Sequence, residues 1–496
     1  LPETARRIVK LRPLFASLLA TSLIASAQTL PDLGDASSNA LSESQEKTIG
    51  NRVMREIRVD PMYLDDWEIT AYVRSLGERL LAVTDPPRRE LEFFVVNDEQ
   101  VNAFALVGGH IGVNTGLIVL TQNESELAGV IAHEISHITQ RHQARAMHGQ
   151  RGAQMASLAA LALAILASRG NSGQSGQVTE AAIMGASALS IQSQLDYTRE
   201  HEREADRVGL ALLERAGLDT RGMVTFFERL LRANRLNEFK GAPSYLRTHP
   251  LTTERIADMQ DRLQPQSTAL RMVPDSIEYR IARAKIRAMM GAPNEAVAYF
   301  RNQLSERTVV RPREEVYGLA FALCRAREPD EAWKTLAPLL NPEFTHPAFE
   351  LLAARIRAEQ ARFDDALAIY RAALKAYPAR RALVYGYLDL LLQRGRGKEA
   401  LADLDERLRT VQDDAKLYEL QARAYESSGQ PLGRHRAQAE AYYRRGNLAA
   451  AVDQLELAVK YRNANFYELS SAESRLREMR VLLENERSAE KAMKIS

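Results

Sequence analysis

The residues best placed to do chemistry in this 496-residue chain stand together as His133-Glu134-Ile135-Ser136-His137. On a helix, two histidines four apart lie one turn above each other on one face, so both imidazoles can reach a single ion. The glutamate between them projects to the side, where it can take a proton from water. This is the arrangement of a zinc peptidase, and it points to hydrolysis of a peptide bond. The neighbourhood supports a helix. Leu127, Ile131, Ile135 and Ile138 make an apolar stripe beneath the histidines, and Thr121 with Glu124 offers a capping box. His142, five residues past His137, falls off the ligand face and reads as structural or surface.

Two histidines leave a catalytic zinc short of a ligand, since such sites generally use three protein groups and a water. The acid-dense segment from Tyr197 to Asp206, on an expected helix, can supply it. Spacing does not choose among Glu200, Glu202 and Glu204. Glu202 shares a face with Asp206, which could hold a histidine N–H, but Glu200 shares a face with Glu204 in the same way.

The frame around these residues reads as a small sheet beside helices. Helical patterns run from Gln45 to Leu81, and strands from Leu91 to Val96 and from His110 to Asn114, with Gly108-Gly109 free to turn between them. The motif helix is expected from Glu124 to Met147. The alanine- and leucine-rich run from Met155 to Ser168 has 14 residues, too few to span a bilayer, and reads as a buried core helix. The alternative is a lid or a membrane-touching helix, because the flexible Asn171-Ser172-Gly173-Gln174-Ser175-Gly176 follows; that leaves peripheral membrane association open.

From Pro274 onward the pattern changes to helix pairs. Ala296, Ala332, Ala366 and Ala400 recur at spacings of 36, 34 and 34 residues, each after an acidic residue, which matches the tetratricopeptide period. Small alanines let paired helices approach, and a stack of pairs makes a concave surface for extended segments or partner proteins. Gly291, Gly395 and Gly446 stand five residues before Ala296, Ala400 and Ala451. The last interval, 51 residues from Ala400 to Ala451, is one and a half periods, so one helix is expected to serve two units.

Composition sets outer bounds. A chain 45% hydrophobic and 26% charged, with net charge +2, has ample core for two or more domains and lacks the basic excess expected of a nucleic-acid binder. The single cysteine, Cys324, excludes an intramolecular disulfide and reads as a small buried apolar residue. Arg6, Arg7, Lys10 and Arg12, then the apolar Leu14 to Ile24, then Ala25-Ser26-Ala27 form an export signal over residues 1–27. The mature chain is expected to begin near Gln28 in a bacterial periplasm; a retained membrane anchor is the alternative.

The His133–His137 run, Glu202-Arg203-Glu204-Ala205-Asp206 and Thr248-His249-Pro250 together resemble the gluzincin peptidases of the HtpX and CAAX-protease family. The resemblance covers essentially the whole mature chain. Its order of signal, peptidase and repeat tail is similar to that of periplasmic members that serve the assembly of outer-membrane β-barrels. It implies that Glu202 is the third ligand of one Zn2+ and that Asp206 orients a ligand from behind. It also implies that His249 lies near the zinc, filling the open position and holding the enzyme inactive until displaced. The alternatives from the residues themselves are that His249 is a transition-state stabiliser or a capped core histidine beside Pro250. The family's N-A-F-A-L-P-G-G segment reads Asn102-Ala103-Phe104-Ala105-Leu106-Val107-Gly108-Gly109 here, with Val107 for proline. The strand edge at Asn102, Ala103, Phe104 and Ala105 could hold an extended substrate by β-addition.

The expected architecture is an α+β zincin-like metallopeptidase domain over residues 28–270, followed by an all-α tetratricopeptide-repeat solenoid over residues 274–496. The expected function is a periplasmic zinc metalloendopeptidase, with Glu134 as general base. Its polypeptide substrates would be misfolded or stalled outer-membrane proteins, and its repeats would bind the β-barrel assembly machinery. The alternative is mainly a chaperone or assembly scaffold, with proteolysis secondary.

Overall fold

A capping box at Ser42, built with Gln45, starts helix α1 (Glu43–Ile57). Asp66 caps α2 (Trp67–Leu81) by accepting from the N–H groups of Glu68 and Ile69. The computed structural model describes residues 42–85, 90–146, 188–236, 243–263, 273–305, 312–341, 345–461 and 465–495. The expected export signal, the run from Met155 to Ser168 and the segment after it lie outside these residues.

Strands β1 (Glu92–Val96), β2 (Ala103–Leu106) and β3 (His110–Asn114) form one sheet in the order β1-β3-β2. β1 runs parallel to β3 and β2 antiparallel to it. Gly108 and Gly109, at φ 86° and 89°, turn β2 into β3, so the glycine pair joins the edge strand expected at Asn102 to Ala105 to the His110 strand and does not turn the chain from the Leu91 strand. Alternation along the strands feeds two cores. Phe93, Val95, Ile111 and Val113 face the large one, while Phe94, Val96, Phe104 and Leu106 meet Val53, Met54 and Ile57 of α1.

Helix α3 (Thr115–Leu120) leads into the motif helix α4 (Glu124–Thr139). The cap of α4 is Asn123, whose side chain accepts from the Glu126 N–H at 3.0 Å, and not Thr121. Thr121 instead closes α3 by donating to Ile118 O at 2.8 Å. Leu127, Ile131 and Ile135 are fully buried, each contributing about 1.5–3 kcal/mol of burial. α4 also stops short of the expected Met147. Arg141 takes φ 52°, held by Glu46 at 2.7 Å, and a separate helix α5 (His142–Ala146) follows.

Helices α6 (Ala188–Arg215) and α7 (Arg221–Arg235) pack on α4. Their approach needs small residues: a Cβ on Gly129 would come 2.7 Å from Met223 Cβ, and one on Gly209 would come 3.3 Å from His133 N. Short α8 (Ser244–Thr248) and α9 (Thr253–Arg262) complete this half.

The second half is helix pairs: α10 (Ile277–Met289) with α11 (Pro293–Ser305), α12 (Arg313–Arg325) with α13 (Pro329–Leu336), and α14 (Pro347–Glu359) with α15 (Phe363–Ala376). Then come α16 (Arg381–Gln393) with α17 (Gly397–Leu408), α18 (Ala415–Ser427) with α19 (Pro431–Arg444), and α20 (Leu448–Ala458) with α21 (Phe466–Ile495). Ala296, Ala332, Ala366 and Ala400, each on the second helix of its pair, and Ala451 on α20 are all buried. α19 packs on both α18 and α20, so it serves two units and accounts for the half-period. Cys324 is buried in α12.

The halves share α10. Tyr279, Ala282 and Ile286 enter the large core of the first half, while Ile281, Ala284 and Ala288 enter the first core of the helix pairs. The motif helix and α10 also begin on each other. Asp275 accepts from the Glu124 N–H at 2.7 Å, and the Glu124 carboxylate accepts from Ser276 N–H at 3.1 Å and Ser276 Oγ at 2.6 Å. At the far end of the solenoid, Arg55 donates to Gly446 O and Arg58 to Arg445 O, each at 3.1 Å. Among the described residues no helix is long and apolar enough to cross a membrane.

Candidate metal centre

His133 and His137 from α4, Glu202 from α6 and His249 at the end of α8 converge, with one donor atom from each within 4.8 Å of the others. His133 Nε2 lies 3.0 Å from His137 Nε2, and Glu202 reaches the two at 3.3 and 3.4 Å. His249 Nδ1 stands 3.0 Å from Glu202 Oε1 and 3.4 Å from His133 Nε2. Three imidazoles and a carboxylate so closely spaced, with water nearly excluded, need a shared proton or a cation between them. The set is three nitrogens and one oxygen, the donor chemistry of a zinc-type site.

The electrostatics favour a cation. Burial opposes charge on His133, but Asp206 and Glu202 outweigh it and lift its pKa to about 10. Burial drives His137 down to about 3, leaving a neutral donor. Glu202 is held well below the usual carboxylate range: burial resists, but His249, His133 and His137 prevail. Glu134 stands apart from the four, fully buried, with Oε1 at 3.5 Å from His249 Nε2. Burial raises its pKa and His249 and His133 pull it back, the setting of a carboxyl that can both take and return a proton.

Asp206 braces the site from behind, its Oδ1 at 3.0 Å from His133 Nδ1. Arg255 in turn grips Asp206 through two contacts of 2.8 Å and Glu202 Oε2 at 2.9 Å. Neither Glu200 nor Glu204 joins the donors; Glu200 is exposed and Glu204 pairs with Arg145.

The β2 edge is held at both ends. Val101 O accepts from the Tyr245 N–H at 3.2 Å, and Ala105 O from the Gln143 side chain at 2.7 Å. Asn102, Ala103 and Phe104 are buried whole, backbone included, and Ala105 alone of the four is partly exposed.

Two residues beside the site have no place in the sequence reading, and a third, His142, is outside the donors as expected but closer to them than expected. Arg255 could have been suspected, because it shares the face of α9 that carries buried Met259, and a charge on an apolar face needs a partner. Tyr245, whose ring stacks on His249 with centroids 4.7 Å apart, left no such signal. His142 was read as off the ligand face, which assumed that α4 continued. The turn at Arg141 brings it back, buried, against His137.

The sequence profile of Peptidase family M48 matches residues 68–263, and that of the tetratricopeptide repeat matches residues 357–424. The beta-barrel assembly-enhancing protease of Escherichia coli is 32% identical over 462 residues, 92% of this chain and 93% of that protein. The protein of the same description from Yersinia pestis is 34% identical over 332 residues, 66% of each. A shorter match, 28% identical over 217 residues, links 42% of this chain to 56% of the mitochondrial metalloendopeptidase OMA1 of Schizosaccharomyces pombe.

Proposed function

The chain belongs to peptidase family M48, with the repeat-bearing beta-barrel assembly-enhancing proteases as full-length relatives, and is a metallopeptidase. From that premise we propose a zinc endopeptidase of the periplasm that cleaves misfolded or stalled outer-membrane proteins and assists their assembly. His133, His137 and Glu202 would hold one Zn2+, with Asp206 orienting His133 and His249 as a further, regulatory ligand. The peptidase domain spans residues 28–270, and the solenoid over 274–496 binds the assembly machinery. The observation that carries this reading is the convergence of four donors from three separate helices, three of them buried and His137 partly so, beside a buried carboxyl outside the set, Glu134.

When bound, the ion would lower the pKa of water and polarise the scissile carbonyl. Glu134 takes the proton from the attacking water and returns it to the departing amine. The β2 edge positions the substrate backbone, once Gln143 and the Tyr245 segment release it. Glu134→Gln should keep one zinc per chain and lose casein cleavage by roughly 10²- to 10⁴-fold. Full activity in that variant would remove Glu134 from the role. His249→Ala should raise basal cleavage, and unchanged cleavage would reject the regulatory ligand.

The scaffold reading draws support from the same geometry, since both the fourth donor position and the strand edge are occupied by the chain's own groups. Under that reading Glu134→Gln supports outer-membrane protein assembly in cells as well as the parent does. Loss of support would make proteolysis the main activity.

A further inference from the structure

His137 Nε2 faces the donor cluster, so a neutral His137 that offers this nitrogen to an ion carries its hydrogen on Nδ1. That Nδ1 lies 2.9 Å from Nδ1 of His142. Since one hydrogen serves the contact, His142 Nδ1 accepts it and His142 carries its own hydrogen on Nε2. There it meets Glu204 Oε2 at 3.0 Å, and the same oxygen takes Arg145 Nη1 at 2.9 Å. His142 is buried and its ring stacks on His201 with centroids 4.3 Å apart and planes within 7°, which fixes its rotation. Each tautomer in this row therefore follows from the one before it.

We propose that His142 and Glu204 are positioning residues for the metal ligand His137, fixing its tautomer and ring plane through an imidazole-to-imidazole hydrogen bond. The inference rests on His137 being a ligand, as proposed above. It gives the two histidines of α4 different supports. His133 meets a carboxylate directly, at Asp206. His137 meets one through a second imidazole supplied by α5, the helix that begins after the turn at Arg141. Orienting partners of this kind set ligand affinity as well as geometry.

The test measures zinc affinity of the full chain by competition with a chelator, together with the visible absorption of the Co2+-loaded protein. His142→Leu should weaken zinc binding by roughly 10- to 100-fold and alter the Co2+ bands. His142→Asn, whose side-chain oxygen can still accept from His137, should restore most of the affinity. Glu204→Gln keeps an acceptor without the charge and should lose less than His142→Leu. Parent-like affinity and an unchanged Co2+ spectrum in His142→Leu would overturn the proposal. Should that variant fail to fold, the other two decide: no rescue in His142→Asn, with parent-like binding in Glu204→Gln, also overturns it. A parent chain that binds no zinc would instead sink the metal centre itself.

Discussion

Of the 21 polar or charged side chains buried among the described residues, 18 lie before residue 264, while the helix pairs hold Lys285, Asp414 and His435. The repeats are filled instead by alanine against leucine, tyrosine and phenylalanine, as where Ala366 meets the Tyr370 and Leu388 layer. In the peptidase half, charges are kept from water and satisfied by one another, which stabilises little but fixes the geometry of a few atoms. In the solenoid, close approach of helices fixes a shape. One interior is sensitive to charge and the other to volume.

The comparison is broken most sharply at Arg255. Arg255→Met would leave Asp206 and Glu202 without their buried counter-charge, and metal-free protein should lose about 3–5 kcal/mol in urea unfolding. A loss below 1 kcal/mol would show that the histidines alone neutralise the two acids. Ala366→Leu, a change of volume without charge, should cost about 1–3 kcal/mol and leave zinc content unchanged. A matching loss of zinc would mean that the halves are not separable in this sense.

A pH series sharpens the comparison. Glu92 is drawn down to about 2 from its ordinary 4.5: burial resists, but His110 and Arg58 hold the charged form. A depressed carboxyl stabilises above the unfolded-state value, and the contribution fades as pH falls through the folded one. The gap in urea midpoint between the parent and Glu92→Gln should thus be full at neutral pH and close by about pH 2. A gap independent of pH would assign the effect to packing. The smallest effect is expected at Ala361, which takes φ 60° at the turn before α15. Ala361→Gly should stabilise by up to about 1 kcal/mol in thermal unfolding, and a loss of stability would show that the methyl group is needed there.

That turn also shows what the sequence could convey. Left-handed residues fall at Gly291, Arg327, Ala361, Gly395 and Gly429, at intervals of 36, 34, 34 and 34 residues. Glycine marks three of the five, so a search for glycine spacing sees a broken pattern where the backbone is regular. The burial of the spaced alanines was legible because a small residue leaves no substitute for itself between two helices. The motif histidines were legible because their spacing is the helix repeat. The cap of α4 was assigned two residues early, at Thr121 in place of Asn123, since a threonine ending one helix looks the same as one starting the next. Glu202 could not be separated from Glu200 and Glu204 by spacing, because all three sit on one helix and the partner surface that selects among them comes from α4 and α9. Arg255 and Tyr245 are distant in sequence from the motif; the apolar face of α9 hints that Arg255 needs a partner but not which one, and nothing local announces Tyr245.

The shared start of α4 and α10 limits how the molecule can be dissected. A catalytic fragment ending at residue 263 would lose Tyr279, Ala282 and Ile286 from its own interior. It would also leave the Glu124 carboxylate facing Tyr72 alone, stripped of the Ser276 donors. The first helix of the solenoid is in this sense a wall of the enzyme, and whatever loads the repeats pushes on the same residue from which the histidine-bearing helix hangs.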